Sequence, residues 1–149
     1  MAVIIGPKFT RADINRMLGQ KKERIYQAIL NALIRVGEQF VTDARSNHTY
    51  KDVTGNLTSS IGYVVLRDGV QMTANFQGKG SEGISKSKAL IDNIASKHQS
   101  GLALIVVAGM DYAAAVEARG LDVITNSSIP AVANLKKSIA NIASKVKAL

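Results

Sequence analysis

Residues 61–76, IGYVVLRDGVQMTANF, are the stretch on which the reading of the fold turns. Two β-rich runs, Ile61 to Leu66 and Val70 to Phe76, flank Arg67-Asp68-Gly69. An Asp-Gly pair between two such runs signals a hairpin, because both residues tolerate the positive φ that tight hairpin turns need. Further on, Leu102 to Ala108 (LALIVVA) is apolar without interruption between Gly101 and Gly109. Continuous rather than alternating apolarity predicts a strand buried on both faces, or a central strand. Val123, Ile124 and Thr125 suggest one more short strand. The expectation is a small, mainly antiparallel sheet of about four strands.

Helical periodicity brackets this sheet. Residues 10–47 read as one long helix or a helix pair, with Thr10 and Asp13 placed as a capping box and Gly19 near a possible break. From Ile25, apolar residues recur at Ile29, Leu33, Val36, Phe40 and Ala44, the three-and-four spacing of one buried helix face. At the other end, Val132, Leu135, Ile139, Ile142 and Val146 form a second stripe over residues 128–148. Pro130 is expected inside the first turn of that helix, with Ser127 or Ser128 as its cap. The fold class is therefore α+β, with a long N-terminal and a C-terminal helix packed on the sheet.

Between the second and third strands, residues 78–101 are far longer than a hairpin connection needs. The stretch is Gly/Ser/Lys-rich at first, and Ile84, Leu90, Ile91 and Ile94 permit a helix in its second half. It reads as an insertion hung on the sheet, mobile or ordered only against a partner. One domain over residues 1–149 follows: helical region 10–47, hairpin 57–77, insertion 78–101, strands 102–125 and C-terminal helix 128–148.

Composition narrows the classes. The 149 residues include no Cys, which removes disulfides, thiolate metal sites and Cys nucleophiles. Neither a membrane-crossing apolar run nor, in the opening MAVIIGPKF, a signal peptide is expected. The net charge of +8 raises the question of nucleic acid, since excess Lys and Arg attract phosphate without regard to base sequence. The cations are diffuse, however: Lys8, Arg11, Arg16, Lys21, Lys22 and Arg24 near the start, and Lys136, Lys137, Lys145 and Lys147 near the end. There is no Trp, and with three Phe and four Tyr few rings are available for base stacking.

Catalytic patterns are missing. His48 and His98 stand apart with no acid at ligand spacing, and Ser59 and Ser60 lack a nucleophile-elbow frame. Gly78-Lys79-Gly80-Ser81 lacks the spacing of a phosphate loop, and nothing places Asp111 and Glu117 around a pocket. The expectation is a protein without catalytic residues, metal or cofactor. Two segments carry structural chemistry instead. In Thr54-Gly55-Asn56-Leu57, followed by Ser59, Ser60 and Ile61, Gly55 can take positive φ to make a tight turn, which drops Leu57 and Ile61 into the core. In Tyr112-Ala113-Ala114-Ala115-Val116-Glu117, closing with Gly120, small residues allow close approach and Tyr112 can bury its ring.

With these two segments in view, the chain resembles a tailed-bacteriophage morphogenesis family, the tail-completion or head–tail joining proteins related to gene product ten of a lambdoid siphophage. The likeness rests on TGNLTSSI at Thr54 to Ile61 and YAAAVEARG at Tyr112 to Gly120, in order between two helices, and spans roughly residues 20–149 without the insertion. Two departures stand out: Tyr50-Lys51-Asp52-Val53 replaces a stretch where the family often has Pro, and the 78–101 insertion is longer than a minimal member needs. The resemblance implies a non-enzymatic virion structural protein, made in the host cytoplasm and built into a ring at the head–tail interface or tail end. It implies partners in further copies of the chain and in neighbouring neck or tail proteins. Thr54, Gly55, Asn56, Leu57, Ser60 and Ile61 would form the turn-and-strand motif, and Tyr112, Ala113, Val116, Glu117 and Gly120 the packing motif. Lys136, Lys137, Lys145 and Lys147 would face DNA in the channel or a partner. The rival is a small basic nucleic-acid-binding protein, which shares the charge but explains neither motif; a hydrolase would need a polar pocket that the sequence does not offer.

Overall fold

The structure, a computed structural model, describes residues 10–148; the opening MAVIIGPKF and its expected lack of a signal lie outside the described residues. Helix α1 spans Arg11–Ser46, 36 residues, or about 54 Å at the rise of an α-helix. Thr10 Oγ1 accepts the Asp13 N–H at 3.1 Å and the Asp13 carboxylate accepts the Thr10 N–H at 3.0 Å, which completes the capping box. The helix continues through Gly19 without a break. Its buried residues begin only at Leu30 and include Leu33, Val36, Phe40, Val41 and Ala44, so the C-terminal part packs into the domain.

After α1 come α2 (Asn56–Ser59), β1 (Ile61–Arg67), β2 (Val70–Asn75), α3 (Ser81–Ala95), β3 (Leu102–Ala108), α4 (Ala113–Ala118) and α5 (Thr125–Lys147). The strands form an open antiparallel sheet in the order β2-β1-β3. Asp68 and Gly69 have φ of 51° and 79°, the consecutive positive values of a type I′ hairpin turn. The turn is tied to the β3 entrance: Asp68 Oδ1 accepts the Gly101 N–H at 2.8 Å and Asp68 N–H donates to Gly101 O at 2.8 Å.

Alternation along β1 sorts two cores. Ile61, Tyr63 and Val65 pack with Leu33 and Phe40 of α1, and Leu135 of α5 lies against the same cluster. Val64 and Leu66 pack on the opposite face with Val107 and with Ile91 of α3. The arrangement is thus an α1/α5 pair, a three-stranded sheet and α3 as three layers.

Several expectations are corrected here. The described residues form three strands, not about four: Val123 is buried at 1% as a core plug, and Thr125 already opens α5. LALIVVA is an edge strand, and β1 is the central one. Continuous apolarity reports cover on both faces, which α1/α5 and α3 supply, and is silent about lateral neighbours. The 78–101 segment is not hung loosely on the sheet, because α3 buries Ile91 against it and Gly83 and Ser87 against the α2 turn and the end of β3. Finally, α5 starts before residue 128. Pro130 lies beyond its first turn, where the missing N–H leaves the Asn126 carbonyl without its helical donor, and neither Ser127 nor Ser128 is the cap.

Candidate functional site

The Thr54 to Ile61 segment turns inward and fastens layers together. Gly55 has φ 74°, and the Asp52 carboxylate accepts the N–H groups of Gly55 at 2.9 Å and Thr58 at 2.7 Å, which caps α2. Burial alone would raise the Asp52 pKa, but these hydrogen bonds outweigh it and hold the carboxyl below its usual value. Leu57 and Ile61 are buried, and Ser60 Oγ donates to Leu57 O at 2.7 Å. Asn56 Nδ2 reaches Glu82 Oε2 of α3 at 3.2 Å, while Thr54 Oγ1 accepts the Asn56 N–H at 3.3 Å. Ser87 Oγ donates to Ser60 O at 2.5 Å and accepts the Gly109 N–H at 3.1 Å, joining α3, α2 and the end of β3 through one hydroxyl.

In the second segment, Ala113 is buried and Val116 packs on the α1 side of the core, but the Tyr112 ring is 42% exposed rather than buried. Gly120 leaves α4 at φ 77°. Glu117 caps α5 together with Asp122: its carboxylate accepts the N–H groups of Val123 at 3.1 Å, Ile124 at 3.1 Å and Thr125 at 3.3 Å, and Asp122 Oδ1 accepts that of Asn126 at 3.0 Å. Burial pushes its pKa up, but the hydroxyl and backbone of Thr125 and the backbone of Ile124 and Val123 more than reverse this, and the carboxyl titrates below its usual value.

The side chains considered for catalysis lie apart. The His48 ring stacks on Tyr50 at 4.3 Å between centroids, with Nδ1 3.0 Å from Tyr50 O, while His98 is an exposed residue after α3. Gly80 N–H donates to Ser59 Oγ at 3.0 Å, which occupies a nitrogen of the Gly78-Lys79-Gly80-Ser81 stretch. Asp111 pairs with Lys86, whereas Glu117 is taken up by its cap. Among the described residues no group of three or more His, Cys, Asp or Glu gathers at metal-holding distance. No described helix is long and apolar enough to cross a membrane.

Surfaces that can take part in assembly lie at the sheet edges and along the helix pair. β3 pairs with β1 in unbroken register from Ile61↔Ala108 to Arg67↔Leu102, and its other edge has no strand partner among the described residues. β2 forms the opposite edge, where register shifts between Val65↔Thr73 and Leu66↔Gln71, so Met72 is the extra residue of a bulge. A regular apolar edge invites another strand, whereas a bulged edge resists one.

A second surface escaped the sequence reading. The first half of α1 carries Ile14, Met17 and Leu18 at 49%, 50% and 60% exposure, one helical face that no other described element covers. The i, i+3, i+4 spacing of Ile14, Met17 and Leu18 is the sequence signal of this face, which lies ahead of the stripe that begins at Ile25. This face continues into a trough between α1 and the antiparallel α5, lined by Ile25 and Ala28, by Ile142 and Val146, and by Lys21, Arg24 and Lys145. The four C-terminal lysines separate accordingly. Lys145 lines this trough, and Lys137 lines a polar groove beside Arg35 and Ser138. Lys136 and Lys147 are exposed elsewhere on α5.

No protein-family model, curated protein or solved structure matches the chain.

Proposed function

We propose that the chain is a non-enzymatic virion structural protein of a tailed bacteriophage, a ring subunit of the head–tail connector, neck or tail terminus. The observation that carries this reading is the pair of unlike sheet edges on one small domain, the regular apolar edge of β3 and the bulged edge of β2. The β3 edge invites a strand and the β2 edge resists one, so neighbours meet through unlike surfaces, the β3 edge of one subunit against another part of the next. Such heterologous contacts close into a ring when the rotation allows. The motif likeness at Thr54 to Ile61 and Tyr112 to Gly120 supports the same reading. In it, the neighbour supplies the fourth strand of the sheet, alongside β3. Partners are other copies of the chain and adjoining neck or tail proteins, and Lys136, Lys137, Lys145 and Lys147 make sequence-blind contact with DNA in the channel or with a partner.

Disruption of the gene in its phage or prophage tests the proposal by electron microscopy of the lysate. The expected products are separate heads and tails. Normal joined, infectious particles would contradict it.

A further inference from the structure

We infer that the trough between the first half of α1 and the end of α5 is a docking site for an acidic amphipathic helix of a partner protein. Its floor is aliphatic: Ile25 and Ala28 from α1, Ile142 and Val146 from α5. Its rim is cationic: Lys21, Arg24 and Lys145, with no acidic residue lining it among the described residues. The space measures about 410 Å³ and opens along α1 onto the half-exposed Ile14, Met17 and Leu18. From Ile14 to Ala28 the stripe follows about four helical turns, or about 21 Å, a length suited to one helix lying alongside α1.

Charge selects the occupant. The acidic side chains on this part of α1 are already engaged within the chain. Asp13 is held by Thr10 and by Arg16 at 3.0 Å, and Glu23 takes both terminal nitrogens of Arg67 at 2.8 Å each. The Glu23–Arg67 pair also anchors the hairpin tip to α1, with the guanidinium 4.9 Å from the Tyr26 ring centre. The cations at the trough are therefore left to face an incoming ligand. A helix with an apolar stripe and flanking Asp or Glu satisfies both floor and rim, and it adds a third helix to the α1/α5 pair. A nucleic-acid backbone would satisfy the rim alone and leave four aliphatic side chains unused. The inference is independent of the ring reading, because a single copy carries the whole trough.

Fluorescence anisotropy with the full chain and a labelled designed peptide of about 18 residues tests it. The peptide has Leu at i, i+3, i+4, i+7 spacing, flanked by Glu. One control peptide exchanges Glu for Lys, and another exchanges Leu for Ser. The Leu/Glu peptide is expected to bind at least about tenfold tighter than either control, and Arg24→Glu with Lys145→Glu to weaken it by about tenfold or more. Thermal melts verify that the variant folds; if it does not, Arg24→Ala with Lys145→Ala replaces it, with the same direction expected. Equal binding of the Ser/Glu peptide, no binding of the Leu/Glu peptide, or indifference to the substitutions would overturn the inference. Displacement of the Leu/Glu peptide by a tighter-binding duplex DNA would overturn it in favour of a nucleic-acid face.

Discussion

The Glu117 carboxylate accepts the backbone N–H of Ile124 at 3.1 Å, and with it the N–H groups of Val123 and Thr125. One side chain at the end of α4 thereby meets the N–H groups of Ile124 and Thr125 at the start of α5, while Asp122 Oδ1 accepts the next one, from Asn126, at 3.0 Å. Helix α5 forms one wall of both the sheet-covering pair and the proposed docking trough, so this carboxylate governs the placement of both.

Glu117→Gln is therefore expected to destabilise the chain by about 1–2 kcal/mol, since an amide keeps one acceptor oxygen but loses the charge that favours a helix start. The pH dependence has a definite sign. The folded-state pKa lies below the unfolded value, so the stabilisation is fully present above the unfolded value near 4.5 and is lost as pH falls through the lowered folded value. Urea melts between neutral and acidic pH should show a shallower acid loss in the Gln variant. Parallel pH profiles would refute this role.

Two glycines should respond to alanine in opposite directions. A β-carbon at Gly83 would overlap the Asn56 carbonyl oxygen, because α2 and α3 cross with their backbones in contact. Gly83→Ala is expected to cost about 1–3 kcal/mol. At Gly19, where nothing lies within 4 Å of the added carbon, alanine should stabilise the α1 arm by about 0.5–1 kcal/mol and raise the helical circular-dichroism signal. Chemical denaturation of both variants checks the pair. Similar effects of the same sign would contradict the packing described.

Tyr63 lies wholly buried beneath α1, with its hydroxyl donating to Glu38 Oε1 at 2.6 Å. Burial, and then the Glu38 carboxylate, raise the phenol pKa well above its ordinary value. A group raised on folding contributes stability that is full below the unfolded value near 10 and is lost as pH rises through the folded one. Tyr63→Phe should cost about 0.5–1.5 kcal/mol at neutral pH, the net value of one hydrogen bond, because the exposed Glu38 carboxylate keeps Asn75 Nδ2 as a donor at 2.9 Å. It should also flatten the loss of stability above pH 10, read by melts at alkaline pH. An unchanged alkaline profile would contradict the linkage.

The open edge of β3 has its own signature in hydrogen exchange. Antiparallel pairing with β1 alone protects about half the amides of residues 102–108, the other half pointing outward. Exchange of the 102–108 peptide should therefore show partial protection in the free chain and nearly full protection in the assembled ring. The same exchange in both states would argue against strand addition at this edge.

Much of this architecture is decided locally and is correspondingly legible in the residues. Thr10 with Asp13, and Asp68 with Gly69, each settle a helix start or a turn within four positions. The stripe from Ile29 to Ala44 announces its buried face in the same way. What stayed hidden depends on partners distant in sequence. Gly80 and Gly83 suggest loop composition, yet they are small because Asn56 lies against them, more than twenty positions away. Thr125 looks like strand until Glu117 supplies the acceptor that lets a helix begin there. The edge position of LALIVVA could not be read from its apolarity, which β1 shares. For the candidate site, the lysines were visible as charge, but only folding places Lys145 opposite Lys21 and Arg24 over an apolar floor.

Quantitative mass spectrometry of purified particles from the source phage or its induced prophage tests the structural-protein reading most directly. The account predicts tryptic peptides of this chain in the particles, at a copy number comparable to one ring per portal. Abundant chain in the lysate with none in the particles would contradict it.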